Sequence, residues 1–97
     1  MKAVMISYNQ VHTERVMAAM DKVHARGLTK WELTQGRGSE FGEPHYGSHA
    51  WPSMNSTILS IMDDGKVEKL MELLREIDEE SPEQGLKAYY WNVEGGM

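Results

Sequence analysis

Two short stretches near opposite ends of the chain, residues 2–8 (KAVMISY) and 86–94 (LKAYYWNVE), are apolar on both of their alternating faces. In the first, Val4, Ile6 and Tyr8 alternate with Ala3, Met5 and Ser7; in the second, Leu86, Ala88 and Tyr90 alternate with Tyr89, Trp91 and Val93. Their brevity predicts strands, and a strand apolar on both faces must be covered from both sides. Cover is scarce in a chain of 97 residues, because only two segments carry helical spacing. Residues 11–26 place Val16, Ala19, Met20 and Val23 on one helix face, with Gly27 where a C-terminal capping glycine belongs. After Asp63 and Asp64, both suited to N-capping, Val67, Leu70, Met71, Leu74 and Ile77 form a second apolar face. The opposite face carries Lys66, Glu68, Lys69, Glu72, Arg75 and Glu76, and the helix is expected to dissolve over Asp78-Glu79-Glu80-Ser81-Pro82, since proline cannot continue it.

Two more strands complete the pattern. Residues 28–35 alternate Trp31 and Leu33 with Lys30, Glu32 and Thr34, and residues 54–62 mix β-branched and apolar side chains. The order is βαββαβ, the ferredoxin-like α+β arrangement in which two helices cover one face of a four-stranded antiparallel sheet. Nothing is left to cover the other face, and the cheapest cover is a further copy of the same chain. One domain over residues 1–94 and a short flexible tail over 95–97 account for the whole length.

Charge and composition remove several functions. A net charge of −5 with dispersed Lys and Arg argues against nucleic-acid binding. The absence of cysteine excludes disulfides, zinc fingers and thiol catalysis. No apolar run approaches the roughly 20 residues of a spanning helix, so membrane insertion is not expected. The first residues meet Ser7 and Asn9 too soon for a signal peptide, and the expected location is cytoplasmic.

The chemistry is concentrated in the connection between the second and third strands, residues 35–55, where Gly36, Gly38, Gly42, Gly47, Pro44 and Pro52 break every periodicity. Loops beyond about 12–15 residues are uncommon in a small domain and are usually functional or disordered. Arg37 between two glycines can hold an anion such as phosphate, carboxylate or bicarbonate with help from main-chain N–H groups, or simply pair with a neighbouring carboxylate. Glu43, His45 and His49 lie within seven residues and could chelate Zn²⁺, Ni²⁺ or Cu²⁺, with His12 or a neighbouring subunit adding an imidazole. The plainer alternative is that they are solvated loop residues. Phe41 and Trp51 could anchor a protein partner or fold under the loop. Met5, Met20, Met62 and Met71 fall at core-facing positions and are read as packing. Ser48 precedes His49, but adjacency in the chain is not adjacency of side chains, and no nucleophile-and-base pair emerges.

The element order, the loop opening on Gly36-Arg37-Gly38 after Glu32-Leu33, and the last strand entered through Gly85-Leu86-Lys87 together resemble the PII signal-transduction family and its PII-like relatives, over nearly the whole chain. The resemblance implies a trimer with the sheets facing its centre, and small effectors, typically adenine nucleotides, bound in clefts between subunits. It implies ligand contacts from Gly36, Arg37, Gly38 and Lys87, and a T-loop, residues 36–53, whose Phe41, Tyr46 and Trp51 would meet a protein target. Tyr46 is the positional candidate for the tyrosine that such proteins modify. The sequence also departs from the family. The segment after the second helix, Glu80-Ser81-Pro82-Glu83-Gln84-Gly85, is acidic where nucleotide-binding members are basic, and no basic segment follows the last strand. Carboxylates there repel polyphosphate and count against ATP. Three readings stand: a non-enzymatic PII-like regulator sensing a nucleotide, anion or metal; a trimeric metal-binding or metal-tolerance protein; and a small α+β-barrel dimeric enzyme, recognisable by a closed apolar pocket between helices and sheet.

Overall fold

The sheet is organised by β1 (Lys2–Asn9) and β3 (Asn55–Met62), which lie side by side at its centre. The structure, a computed structural model, describes residues 1–37, 44–47 and 54–97. In chain order, β1 is followed by a 3-10 turn (Gln10–His12), α1 (Thr13–Lys22), β2 (Thr29–Thr34), β3, α2 (Asp64–Glu80), a second 3-10 turn (Pro82–Gln84) and β4 (Lys87–Asn92). The sheet order is β2-β3-β1-β4 with every neighbouring pair antiparallel, which is the ferredoxin-like fold expected from the sequence.

The period-two pattern of β1 separates two environments. Val4, Ile6 and Tyr8 are fully buried and meet Ile58 and Met62 of β3 and the apolar stripes of α1 (Val16, Ala19, Met20) and α2 (Val67, Leu70, Leu73, Leu74, Ile77). Leu73 joins the expected stripe, and Met71 is only partly buried at its margin. The other face of β1 meets no helix among the described residues. There Ala3 lies between Ile61 and Trp91, Met5 between Leu59 and Tyr89, and Ser7 between Thr57 and Lys87. Trp31 of β2, paired with Thr57, extends the same face. Its large apolar side chains stand in solvent: Trp31 is 49% exposed, Ile61 46%, Tyr89 58% and Trp91 47%.

The helix ends differ from expectation in instructive ways. α1 begins at Thr13, two residues late, because Asn9 turns the chain first: its Oδ1 accepts from the Val11 N–H at 3.0 Å and caps the 3-10 turn. It ends at Lys22, well before Gly27, because His24 takes the left-handed conformation (φ 57°) usually reserved for glycine. The Ala25 N–H then donates to the Met20 carbonyl at 2.9 Å and the His24 N–H to the Asp21 carbonyl at 3.0 Å, closing a Schellman motif. α2 does not dissolve at Asp78 but continues through Glu80, where Arg15 of α1 meets the Glu80 carboxylate at 2.7 Å. Ser81 stops it, since a residue before proline is kept out of the helical region. Asp63 occupies the N-cap position with an extended backbone, yet its side chain makes no capping bond. Gly85, at φ 69°, supplies the left-handed residue from which β4 departs. No helix among the described residues is long and apolar enough to cross a membrane.

A side chain at the left-handed position of His24 is strained by its Cβ, and glycine removes that strain. His24→Gly is therefore expected to stabilise the fold by up to about 1 kcal/mol, the left-handed steric cost of roughly 1–2 kcal/mol less the backbone-entropy cost of glycine of about 0.5–1 kcal/mol. The check is chemical denaturation of both proteins; an unchanged or lowered midpoint would show that the capping role of His24 rests on its side chain.

Candidate functional site

The end of the sheet where β1 finishes and β4 begins gathers the polar side chains. Ser7, the last open-face residue of β1 flanked on both sides, is paired with Thr57 of β3 and Lys87 of β4. Strands lie about 4.8 Å apart, so Thr57 and Lys87 stand roughly 10 Å from each other with Ser7 between them. The Thr34 and Thr57 hydroxyls meet at 3.1 Å, extending the row onto β2. Behind this row, Asn9 Nδ2 donates to Gln84 Oε1, tying the end of β1 to the turn after α2. That turn delivers Gly85 and then Lys87 to the site.

The long connection enters the same corner. Gly36 and His45 exchange two main-chain hydrogen bonds, Gly36 N–H to His45 O at 3.1 Å and His45 N–H to Gly36 O at 2.7 Å. A further isolated bridge joins Tyr46 to Met54, and the Gln35 side chain donates to the Tyr46 carbonyl at 2.7 Å. His45 is 2% exposed and Asn55 3%, and His45 Nδ1 lies 2.6 Å from Asn55 Oδ1, an arrangement in which the ring N–H donates to the amide oxygen. Asn55 Nδ2 donates in turn to Ser7 Oγ at 3.4 Å. Gly36 has to be glycine for this packing, since a Cβ there would stand 2.5 Å from Asn55 Nδ2. Gly47 has to be glycine twice over, by its φ of +66° and by the Met54 Sδ that would lie 2.1 Å from a Cβ.

The ligand residues expected from the sequence are thus partly brought together. Gly36 touches Asn55, Asn55 touches Ser7, and Ser7 pairs with Lys87, so loop base and β4 start share one corner of the open face. Arg37 and Lys87 are exposed there, and no carboxylate among the described residues lies within ion-pair distance of either. Gly38 lies outside the described residues, as do Phe41, Glu43, His49 and Trp51. Tyr46 is half-buried. His45, expected as a metal ligand, points inward instead, with Nδ1 engaged by Asn55. Among the described residues no group of three or more His, Cys, Asp or Glu side chains could hold a metal ion. The space between helices and sheet is filled by Val4, Ile6, Tyr8, Val16, Met20, Ile58 and Leu70, all with no exposed surface, so the closed apolar pocket required by the barrel-enzyme reading is not found among the described residues.

Sequence reasoning missed Asn55, Ser7, Thr57 and the Asn9–Gln84 pair. Polar residues at strand ends are ordinary in one dimension, and only the register places Ser7 beside Lys87. The one available signal was Gly36 itself, whose missing Cβ makes room for Asn55.

No protein-family model matches the sequence, and no curated protein matches it. Solved structures do. CPII, a nitrogen regulatory PII-like protein from Thiomonas intermedia K12, in its complex with ADP, AMP and bicarbonate, superposes with a TM-score of 0.77 at 16% identity, covering 95% of this chain and 84% of that chain. The same protein with ADP, AMP and acetate gives a TM-score of 0.71 at 14% identity over 99% of this chain and 88% of that chain. A PII-like signalling protein of Thermus thermophilus gives 0.67 at 24% identity over 95% and 85%. The chain therefore has the fold of these PII-like proteins.

Gly36→Ala tests the corner directly. The added methyl group must displace the Asn55 amide and leave buried polar atoms unpaired, at a cost of about 1–3 kcal/mol. The expected outcome is a lowered melting temperature with altered resonances at His45 and Tyr46; an unperturbed spectrum would show that Asn55 yields without consequence.

Proposed function

We propose that this chain is a PII-like regulatory protein rather than an enzyme: a cytoplasmic homotrimer that binds an adenine nucleotide, with or without a small anion such as bicarbonate, at the corner where loop base and β4 start meet. Binding shifts the conformation of the 36–53 loop and so its affinity for a protein partner. The observation that supports this reading is that Gly36, the neighbour of Arg37, packs on Asn55, which bonds Ser7, the strand partner of Lys87, at one end of a bare apolar sheet face. The complex of CPII with ADP, AMP and bicarbonate, on the same fold, supports the ligand class.

The chemistry follows from the side chains. Arg37 offers a planar fork suited to a phosphate or carboxylate, Lys87 a compact point charge, and the Gly36 main chain a surface that a ligand can approach closely. Ser7 and Thr57 add hydroxyls on the open face between them. The neighbouring turn and helix end carry Glu79, Glu80 and Glu83, of which Glu80 is paired with Arg15. Two cations facing this acidic rim suit a mono- or diphosphate better than a triphosphate. A ligand moves the loop only through a difference in its affinity for the loop's conformations, and Arg37, next to the Gly36–His45 bridge, is the contact that can supply that difference.

The test is thermal unfolding and calorimetric titration with AMP, ADP and ATP, each with and without bicarbonate. A nucleotide at 100 times its dissociation constant stabilises the native state by roughly 2.7 kcal/mol. Stabilisation by ADP or AMP exceeding that by ATP is expected, and Arg37→Ala or Lys87→Ala should each weaken binding by about tenfold or more, since hydrogen bonds to charged groups contribute about 1.5–3 kcal/mol. No response to millimolar nucleotide, or a response indifferent to both substitutions, would overturn the assignment.

A further inference from the structure

The connection between β2 and β3 is not a single arm rooted at its two ends. Gly36 and His45 are joined by a reciprocal pair of main-chain hydrogen bonds, and Tyr46, the next residue, is bridged to Met54. One dipeptide, His45-Tyr46, therefore closes two successive excursions of the chain, 36–45 and 46–54. This dipeptide is held from below by its own side chain: the buried His45 imidazole is fixed by Asn55 Oδ1, and the Asn55 amide is fixed by Ser7 Oγ on the central strand. Gln35 holds it from the side through the Tyr46 carbonyl. Gly36 and Gly47 are the residues whose missing Cβ atoms allow the approach of Asn55 and Met54.

We propose that Asn55 is a positioning residue that pins the His45-Tyr46 dipeptide, midway along the connection between β2 and β3, to the sheet, and with it the main-chain bridge to Gly36. Three features converge on Asn55. Its amide is the sole described link between the His45 ring and β1, it is almost fully buried, and its two ends are engaged in the orientation that satisfies both neighbours. An unpaired buried imidazole N–H is costly, so removing the amide releases the dipeptide rather than leaving it in place.

Amide hydrogen exchange on the full chain, read residue by residue by NMR, tests the proposal. In the wild-type protein the Gly36 and His45 amides are expected to be protected. Asn55→Ala should accelerate exchange at Gly36, His45 and the bridge to Met54 by at least tenfold while leaving Ile6 and Ile58 unchanged. Asn55→Asp, which still accepts from the imidazole N–H and can accept from the Ser7 hydroxyl, should restore most of the protection, whereas Asn55→Leu, of similar size but with no acceptor, should not; a merely space-filling role would protect the Asp and Leu variants alike. Should Asn55→Ala fail to fold, His45→Asn, which sets an amide N–H near the position of Nδ1–H, and His45→Ala provide the same contrast from the other partner. Exchange at Gly36 and His45 that is unaltered in folded Asn55→Ala, or equal in the Ala and Asp variants, would overturn the pin. Repeating the measurement with ADP separates the two claims: absence of any nucleotide effect contradicts the proposed function, whereas the contrast between the variants is read without ligand.

Discussion

The fold depends on an imbalance between the two faces of one sheet. Two amphipathic helices bury Val4, Ile6, Tyr8, Ile58 and Met62 on one side, and no described element is left for Trp31, Met5, Ile61, Tyr89 and Trp91 on the other. Burial of apolar surface contributes about 25 cal/mol per Å². A face of this kind, left wet, forgoes one of the larger stabilising terms open to a chain of 97 residues. Both edges reinforce the point, since β2 and β4 carry almost no buried side chain of their own. In the proposed trimer this face is the surface that further copies of the chain would cover.

The open face is continuous with the polar corner. Tyr89 and Trp91 alternate with Lys87 along β4, and Ser7 continues the open-face row of Ala3 and Met5. Apolar cover and ligand chemistry are thus successive rungs of the same ladder: the middle and lower rungs are apolar, and the last rung, Thr57–Ser7–Lys87, is polar and cationic. A copy seated on the apolar rungs would wall the polar rung and turn an exposed corner into a cleft. In the proposed trimer, assembly and ligand binding would thus become one problem.

Much of this was legible in the sequence, for local reasons. The double alternation of residues 2–8, the helical stripes through Val16 and Leu70, and the order of elements pointed to the fold and its bare face, because each rests on a periodicity that survives folding. The helix ends were misread where a tertiary or turn interaction overrode composition: His24 rather than Gly27 takes the left-handed cap, and the Arg15–Glu80 pair accompanies an acidic last turn that the charge pattern alone would have ended sooner. At the candidate site, Gly36 and Lys87 were singled out through the resemblance, whereas their relation through Asn55 and Ser7 depends on strand register, which one sequence does not display. His45 drew attention as a loop histidine with another nearby, and its burial against Asn55 shows why spacing along an irregular chain says little about where a ring points.

The central claim, that copies of this chain cover one another's open sheet face and so complete the corner at Lys87, is tested most directly by the mass of the purified protein in solution, measured by light scattering or sedimentation equilibrium alongside a Trp91→Glu variant. A particle of three times the 11.1 kDa chain mass is expected, reduced to the monomer by the buried charge. A wild-type monomer across micromolar concentrations, or a trimer indifferent to Trp91→Glu, would contradict it.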